Sequence, residues 1–358
     1  MSRAHNFSAG PAVLPLSVIE QLADALPNFK GSGLGLMELS HRSPLFDAVH
    51  RGAEERLRRV MGIPDEYSVL FLQGGASLQF HMTALNLLGS GESADFVVTG
   101  TWSNKAVNEA KRVAGGRIAW DGKDSNYSTL PDSVDFDSGA VYAAYTTNNT
   151  IYGTQFHSRP DSGSIPLVAD MSSDICSRPV DVAAHDLIYA GAQKNLGPSG
   201  VTAVILSPWA LQKAPGALPP MLDYRLQVEK RGLFNTPNTF GIYALERVLA
   251  WVEDLGGLES MATLNGEKAE EIYGIIDGSG FWDGHADAAH RSLMNVTFRT
   301  PSPDLDARFV AEADAAGLKG LKGHRSVGGL RASIYNACER ESVSALAQFM
   351  QDFESAHG

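Results

Sequence analysis

The stretch LIYAGAQKNLGPSGVTAVIL (187–206) holds two short apolar runs, Leu187–Ala190 and Val201–Leu206, separated by a glycine-rich turn that carries a lysine, Lys194. Runs this short and this apolar read as strands buried on both faces, as in a parallel sheet covered by helices. Moving outward, similar runs occur at Ser68–Leu72, Asp95–Thr99, Ala140–Tyr145 and Leu167–Asp170. Helical patterns fall between some of them, at Leu78–Leu88, Asn104–Val113 and Val182–His185. Strands alternating with helices predict an α/β fold with a mostly parallel sheet.

The character changes near Leu258. A long helix over Tyr243–Leu255 is expected to carry the chain into a smaller α+β C-terminal domain. Its elements are a helix at Leu258–Ile276, a strand at Leu293–Arg299, a helix at Asp304–Ala316, a strand at Leu330–Tyr335 and a helix at Ser342–Glu354. The expected division is an N-terminal segment 1–15 packing with the small domain, a large domain 16–257 and a small domain 258–358.

The bulk numbers exclude several function classes. The chain has 358 residues, 44% of them hydrophobic, and a net charge of -12. No basic stripe suggests nucleic-acid binding; Arg56, Arg58 and Arg59 stand beside Glu54 and Glu55 and read as a solvated helix face. The two cysteines, Cys176 and Cys338, form neither a disulfide framework nor a metal-binding spacing. The N-terminal MSRAHNFSAGPAVLP lacks the apolar core of a secretory signal, and Val201–Leu206 is far too short to span a bilayer. A cytoplasmic protein that binds no metal, membrane or nucleic acid is expected.

Ligands of open parallel sheets bind beyond the carboxyl ends of the strands. Four such ends carry notable residues. After Leu72 comes Gln73-Gly74-Gly75-Ala76-Ser77, small residues opening a helix, where free N–H groups can meet an anion. Past Val98 stands Trp102, able to stack on a planar ligand. Asp170 closes a buried strand, where an unpaired charge is costly and wants a cationic partner. Lys194 follows the next run among small residues, and a lysine held in a site can become a nucleophile or base. Taken singly, each has a plain structural explanation: a tight turn, a core aromatic, a salt bridge, a solvated amine. Taken together, they supply the anion cradle, the stacking surface, the carboxylate and the amine that pyridoxal phosphate requires.

The sequence also resembles a known family, the phosphoserine aminotransferases, along almost its whole length. The segments that carry the likeness are NFSAGPAVLP (6–15), ELSHRS (38–43), FLQGGASLQF (71–80), TGTWS (99–103), NNTIYGTQF (148–156), VADMSSD (168–174), AGAQKNLGPSG (190–200), NTPNTF (235–240) and GHRSVGGLRASIYNA (323–337). The resemblance implies a fold type I pyridoxal phosphate enzyme. Lys194 would form the Schiff base, Asp170 would pair with the pyridine nitrogen, and Trp102 would stack on the ring. Gly75, Ala76, Ser77 and Gln193 would hold the cofactor phosphate, and Thr150 would bond near the ring hydroxyl. Asn235 and Thr236 would reach that phosphate from a neighbouring subunit, which implies a homodimer. Arg331 would clamp the substrate α-carboxylate, while His41, Arg42, His324 and Arg325 would receive the substrate phosphate.

The implied reaction exchanges the amino group of 3-phosphoserine with 2-oxoglutarate, giving 3-phosphohydroxypyruvate and glutamate in serine biosynthesis. 4-Phosphohydroxythreonine of vitamin B6 synthesis is a further candidate substrate. Three positions depart from the expected pattern: Ser77 where some members carry arginine, Asn149 in place of an acidic residue, and Asn238 in place of a second proline. Another fold type I enzyme, such as an alanine–glyoxylate-type aminotransferase or a cysteine desulfurase, would share Lys194 and Asp170, but neither cysteine suits the desulfurase. A nicotinamide-dependent dehydrogenase is disfavoured, because Gly31-Ser32-Gly33-Leu34-Gly35 lacks the dinucleotide spacing and no strand precedes it.

Overall fold

The computed structural model describes residues 3–358. Strand β1 (His5–Asn6) precedes helices α1 (Leu16–Ala25) and α2 (Pro44–Met61). The central part runs β2 (Ser68–Leu72), α3 (Gly75–Leu87), β3 (Ser93–Val98), α4 (Thr101–Val113), β4 (Gly115–Asp121), β5 (Ala143–Thr146), β6 (Leu167–Asp170), β7 (Leu187–Gly191) and β8 (Thr202–Leu206). Short helices α5 (Pro208–Lys213) and α6 (Tyr224–Glu229) lead to α7 (Thr239–Asp254) and α8 (Gly257–Gly278). The chain closes with β9 (Asp283–Gly284), β10 (Asn295–Arg299), α9 (Pro303–Ala315), β11 (Leu318–Lys319), β12 (Leu330–Ser333) and α10 (Arg340–His357).

Seven strands form the central sheet in the order β2-β8-β7-β6-β5-β3-β4. The pairings from β7 through to β4 are parallel, and β8 runs antiparallel to both β7 and β2. Because the direction reverses twice, β2 ends on the same edge as β7, and the carboxyl ends of β2, β3, β5, β6 and β7 share one rim. Strands β5 to β8 are buried throughout. Apolar clusters cover the sheet on both faces, one gathering α2, α7 and Leu196, the other α3, α4 and Tyr224.

The smaller antiparallel sheet, β12-β10-β9, packs with α8, α9 and α10 around Phe298, Phe309 and Trp282. β1 pairs with β11, and Ser333 N donates to Phe7 O, so the N-terminal segment joins this second core.

Local chemistry sets the helix boundaries. Ser43-Pro44, Ser207-Pro208 and Ser302-Pro303 each begin a helix, with the serine hydroxyl accepting a backbone N–H two or three residues into it and proline occupying the first turn. Asn238 caps α7 in the same way, accepting from Gly241 N at 2.9 Å. A proline at 238 would have no such acceptor.

Three expectations need correction. β4 was not foreseen, since it is a half-exposed edge strand with no continuous apolar run. Val182–His185 holds only a single 3-10 turn, Val182–Ala184. Arg56 is not simply solvated: it bridges α2 to Glu246 at 2.8 Å and to Glu253, both on α7. Among the described residues, no helix is long and apolar enough to cross a membrane, and no group of His, Cys, Asp and Glu is arranged to hold a metal.

Replacing Asn238 by alanine removes the α7 cap and should lower the unfolding free energy by about 1 kcal/mol, read from a denaturant midpoint at unchanged slope. A midpoint equal to wild type would contradict the capping role.

Candidate active site

The rim of the central sheet encloses a cavity whose lining includes Gly75, Ala76, Ser77, Trp102, Thr150, Asp170, Gln193 and Lys194. All eight were anticipated from sequence. Gly74 and Gly75 both take positive φ, 92° and 64°, a turn that side chains with a Cβ adopt at a cost. That turn ends β2 abruptly and starts α3, leaving the first N–H groups of the helix without intrahelical partners. Such a start attracts anions. Open space lies next to Gly75, where an added Cβ would meet nothing within 4 Å.

Asp170 and Lys194 follow neighbouring parallel strands, with Asp170 paired to Tyr189 in the β6–β7 register. Asp170 is 5% exposed. Burial pushes its carboxyl above the ordinary range, against hydrogen bonds from Ser172 and the charge of Lys194. Burial likewise lowers Lys194 to about 8, partly offset by Asp170, with Arg331 reinforcing the fall. Lys194 Nζ donates to Thr150 Oγ1 at 2.6 Å.

Thr150 joins two parts of the site, because its backbone oxygen also accepts from Arg331 Nη1 at 3.1 Å. The turn holding Thr150 is fixed by Asn149, whose Oδ1 accepts from Ile151 N at 3.0 Å and Tyr152 N at 3.1 Å. Asn149 Nδ2 donates to Thr99 O. A carboxylate at 149 would set acceptor against acceptor there, so the asparagine suits this turn.

Arg331 lies on β12, opposite Thr297. Its Nε is buried without a partner, and none of its nitrogens meets a carboxylate among the described residues. Desolvation lowers its pKa, the mark of a cation lacking an anion. Trp102 Nε1 is also buried and unpartnered, while Lys105 Nζ sits 4.7 Å from the Trp102 ring centre. His324 feels the positive charges of Arg331, Arg325 and Lys105, which together with desolvation lower its pKa. Its Nδ1 accepts from Ser326 N at 3.3 Å.

Arg331 and His324 lie outside the lining of this cavity, and so do the remaining anticipated residues. Arg325 lines a groove with Pro303, Asp306 and Val310 of α9. It sits in a tight turn in which Val327 N and Gly328 N both donate to His324 O. His41 and Arg42 sit in the turn before α2, with Arg42 exposed and its N–H donating to Ser40 Oγ. Asn235 bonds Gln73 Oε1 of its own chain at 3.1 Å, and Thr236 is exposed.

Sequence reasoning missed five lining residues, Phe80, Thr146, Asn148, Ser172 and Ser173, and the nearby Asp174. Ser172 bonds Asp170 directly. Asp174 is a second buried carboxylate, held by Thr147 and Gln155. Both stand in VADMSSD, where only the first aspartate follows an apolar run and so drew attention.

The donor set suits pyridoxal phosphate: open space at a helix start for a phosphate, an indole face, a buried carboxylate and a buried amine. A pKa near 8 at Lys194 predicts selective chemistry in cofactor-free protein. Reductive methylation followed by peptide mass spectrometry should show Lys194 half-reactive near pH 8, about two units below exposed lysines. A midpoint near 10.5 would contradict the desolvated site.

The Aminotransferase class-V family matches residues 4–346. Phosphoserine aminotransferase of Desulfatibacillum aliphaticivorans is 50% identical over 359 aligned positions, covering 100% of this chain and 99% of its own length. The phosphoserine aminotransferase structure from Bacillus circulans subsp. alkalophilus superposes with a TM-score of 0.97 at 49% identity, covering 99% of both chains. The pyridoxal phosphate-bound phosphoserine aminotransferase of Trichomonas vaginalis gives 0.93 at 39% identity, covering 98% of this chain and 100% of its own. Alanine–glyoxylate aminotransferase from Nostoc shares only the fold, with a TM-score of 0.78 at 18% identity over 99% of this chain and 96% of its own. This chain belongs to the class-V aminotransferases and, within them, to the phosphoserine aminotransferase family.

Proposed function

We propose that this chain interconverts 3-phosphoserine and 2-oxoglutarate with 3-phosphohydroxypyruvate and glutamate, using pyridoxal phosphate as its cofactor. The observation that carries this reading is the meeting of an amine and a buried carboxylate in one cavity, with an unpaired arginine tied to the same site through Thr150. The family supports the same assignment against an alanine–glyoxylate activity, whose representative is similar in fold alone.

Bound pyridoxal phosphate supplies a carbonyl that takes up the amino group and a ring that accepts the electron pair left at the substrate Cα. The chain's own residues do the rest. Lys194 Nζ would hold the cofactor and is the base placed to move a proton at the substrate Cα. Its lowered pKa keeps a usable fraction of free amine near neutral pH. The Asp170 carboxylate holds a proton on the ring nitrogen. Trp102 covers one face of the ring, while the N–H groups at Gly75, Ala76 and Ser77, with Gln193, take the cofactor phosphate. The hydroxyl of Thr150, which accepts from Lys194 Nζ, would also be placed to bond the cofactor near its ring oxygen.

Arg331 offers a planar fork for the α-carboxylate that both amino donors share. Arg331, Arg325 and Lys105, whose charges all reach His324, make this side of the site positive in a chain of net charge -12. Such a charge favours the substrate phosphate or the side-chain carboxylate of glutamate.

The working form in this reading is a homodimer with shared sites. Its support is a set of exposed apolar side chains next to the outlying site residues: Met37 at 67% and Leu34 at 48% precede His41 and Arg42, and Phe234 at 42% precedes Asn235. A second copy covering this surface would bring His41, Arg42, Asn235 and Thr236 to its neighbour's cavity. The reading further assigns the enzyme to the cytoplasm, to serine biosynthesis, and to 4-phosphohydroxythreonine turnover in pyridoxine biosynthesis.

Steady-state assays should give turnover with phosphoserine plus 2-oxoglutarate and little with unphosphorylated serine; preference for serine or for alanine plus glyoxylate would defeat the reading. Arg331→Leu should raise KM for phosphoserine and glutamate alike by about 10–100-fold, the worth of a charge-assisted fork. Mixing inactive Lys194→Ala and Asn235→Ala proteins should restore part of the activity if sites are shared. No recovery in mixed dimers would contradict sharing.

A further inference from the structure

Asp170 Oδ1 accepts two hydrogen bonds from one residue, Ser172 N at 3.0 Å and Ser172 Oγ at 2.6 Å. Asp170 Oδ2 accepts none from the described residues. The Ser172 hydroxyl is in turn an acceptor, taking Gly191 N–H at 3.1 Å. With its lone pair turned to that N–H, its own hydrogen is directed at the carboxylate. Gly191 ends β7, three residues before Lys194. A single buried hydroxyl, 8% exposed, therefore ties the acid's rotamer to the backbone that leads to the amine.

We propose that Ser172 is a positioning residue that turns one oxygen of Asp170 toward the cofactor's ring nitrogen and keeps that carboxylate anionic. The proposal rests on the cofactor reading above. A carboxylate with free rotation could present either oxygen, or share a proton with a neighbour. Here Oδ1 is committed to the protein and Oδ2 is left for the ring. The two bonds also act against desolvation, which otherwise favours the neutral acid.

Other groups around Asp170 do not replace this hydroxyl. Lys194 lies across the cavity and supports the negative charge. Asp174, on the turn after β6, opposes it, although its own carboxylate is engaged by Thr147 and Gln155. Tyr189, on β7, is held neutral by burial. Thr147 N and Oγ1 donate to the backbone oxygen of Asp170, at 3.0 and 3.1 Å, and leave the side chain untouched.

The test compares Ser172→Ala, Ser172→Thr and, as a structural control, Ser177→Ala, which loses a similarly buried hydroxyl bond to Asp174 O at 2.6 Å. Each protein is stripped, reloaded with pyridoxal phosphate, and titrated by its visible absorption against pH. Ser172→Ala should displace the midpoint by half a unit or more, weaken cofactor binding about tenfold, and lower kcat about tenfold with KM for phosphoserine within twofold. Ser172→Thr should restore the midpoint, and Ser177→Ala should lower thermal stability without moving it. The proposal is overturned if Ser172→Ala keeps the wild-type midpoint and kcat, if Ser177→Ala shifts them equally, or if a folded, cofactor-loaded Ser172→Thr fails to recover. Should threonine prevent folding, the comparison of the two alanine variants decides. Wild-type protein that takes up no pyridoxal phosphate would instead overturn the cofactor reading itself.

Discussion

A carboxylate and an amine, both withdrawn from water, stand at the ends of neighbouring parallel strands, and their mutual attraction sets what the rest of the site must do. Burial alone would neutralise both groups, raising the pKa of Asp170 and lowering that of Lys194. Each partly restores the charge of the other. The β6–β7 pairing fixes the separation of the strand ends from which the two groups extend. Lys194 retains enough neutral amine to react, while the hydrogen bonds from Ser172 and the charge of Lys194 oppose the neutralisation of Asp170. At Asp170 burial is opposed first by the two Ser172 bonds and then by the Lys194 charge, and at Lys194 by the charge of Asp170.

The same economy of charge extends to the rim. Arg331 is half-buried with an orphaned Nε, held by a single bond to the Thr150 carbonyl. An unpaired buried cation costs stability, and its persistence here makes physical sense as a receptor for an anion. Thr150 is the hinge of this arrangement, since its hydroxyl takes Lys194 and its carbonyl takes Arg331. The turn beneath it depends on Asn149, and the small sheet is locked to that turn through Asn148 and Asn295 at 2.8 Å. The geometry of the cavity is thus shared between the two sheets.

Much of this was legible in the sequence, for identifiable reasons. Buried strands such as 167–170 and 202–206 have no polar alternation, and the residues just past their ends stood out by contrast. The edge strand β4 was not legible, because half of it faces solvent and its composition, Gly-Gly-Arg-Ile-Ala-Trp-Asp, carries no apolar run. The double reversal at β8 left no trace either, since strand direction depends on connections and not on local pattern. Within the site, side chains that bind through their own strand or turn were readable, whereas Ser172 and Asp174 act through neighbours and were not. His41, Arg42, Asn235 and Thr236 came from resemblance alone, and one chain leaves them outside the cavity.

The account turns on Asp170 and Lys194 addressing the two ends of one flat ring. A crystal structure of the protein crystallised with pyridoxal phosphate measures this directly. The account predicts unbroken density from Lys194 Nζ into the cofactor and an Asp170 oxygen about 2.7–3.0 Å from the ring nitrogen. Cofactor joined to a different lysine, or a ring nitrogen facing solvent, would contradict it.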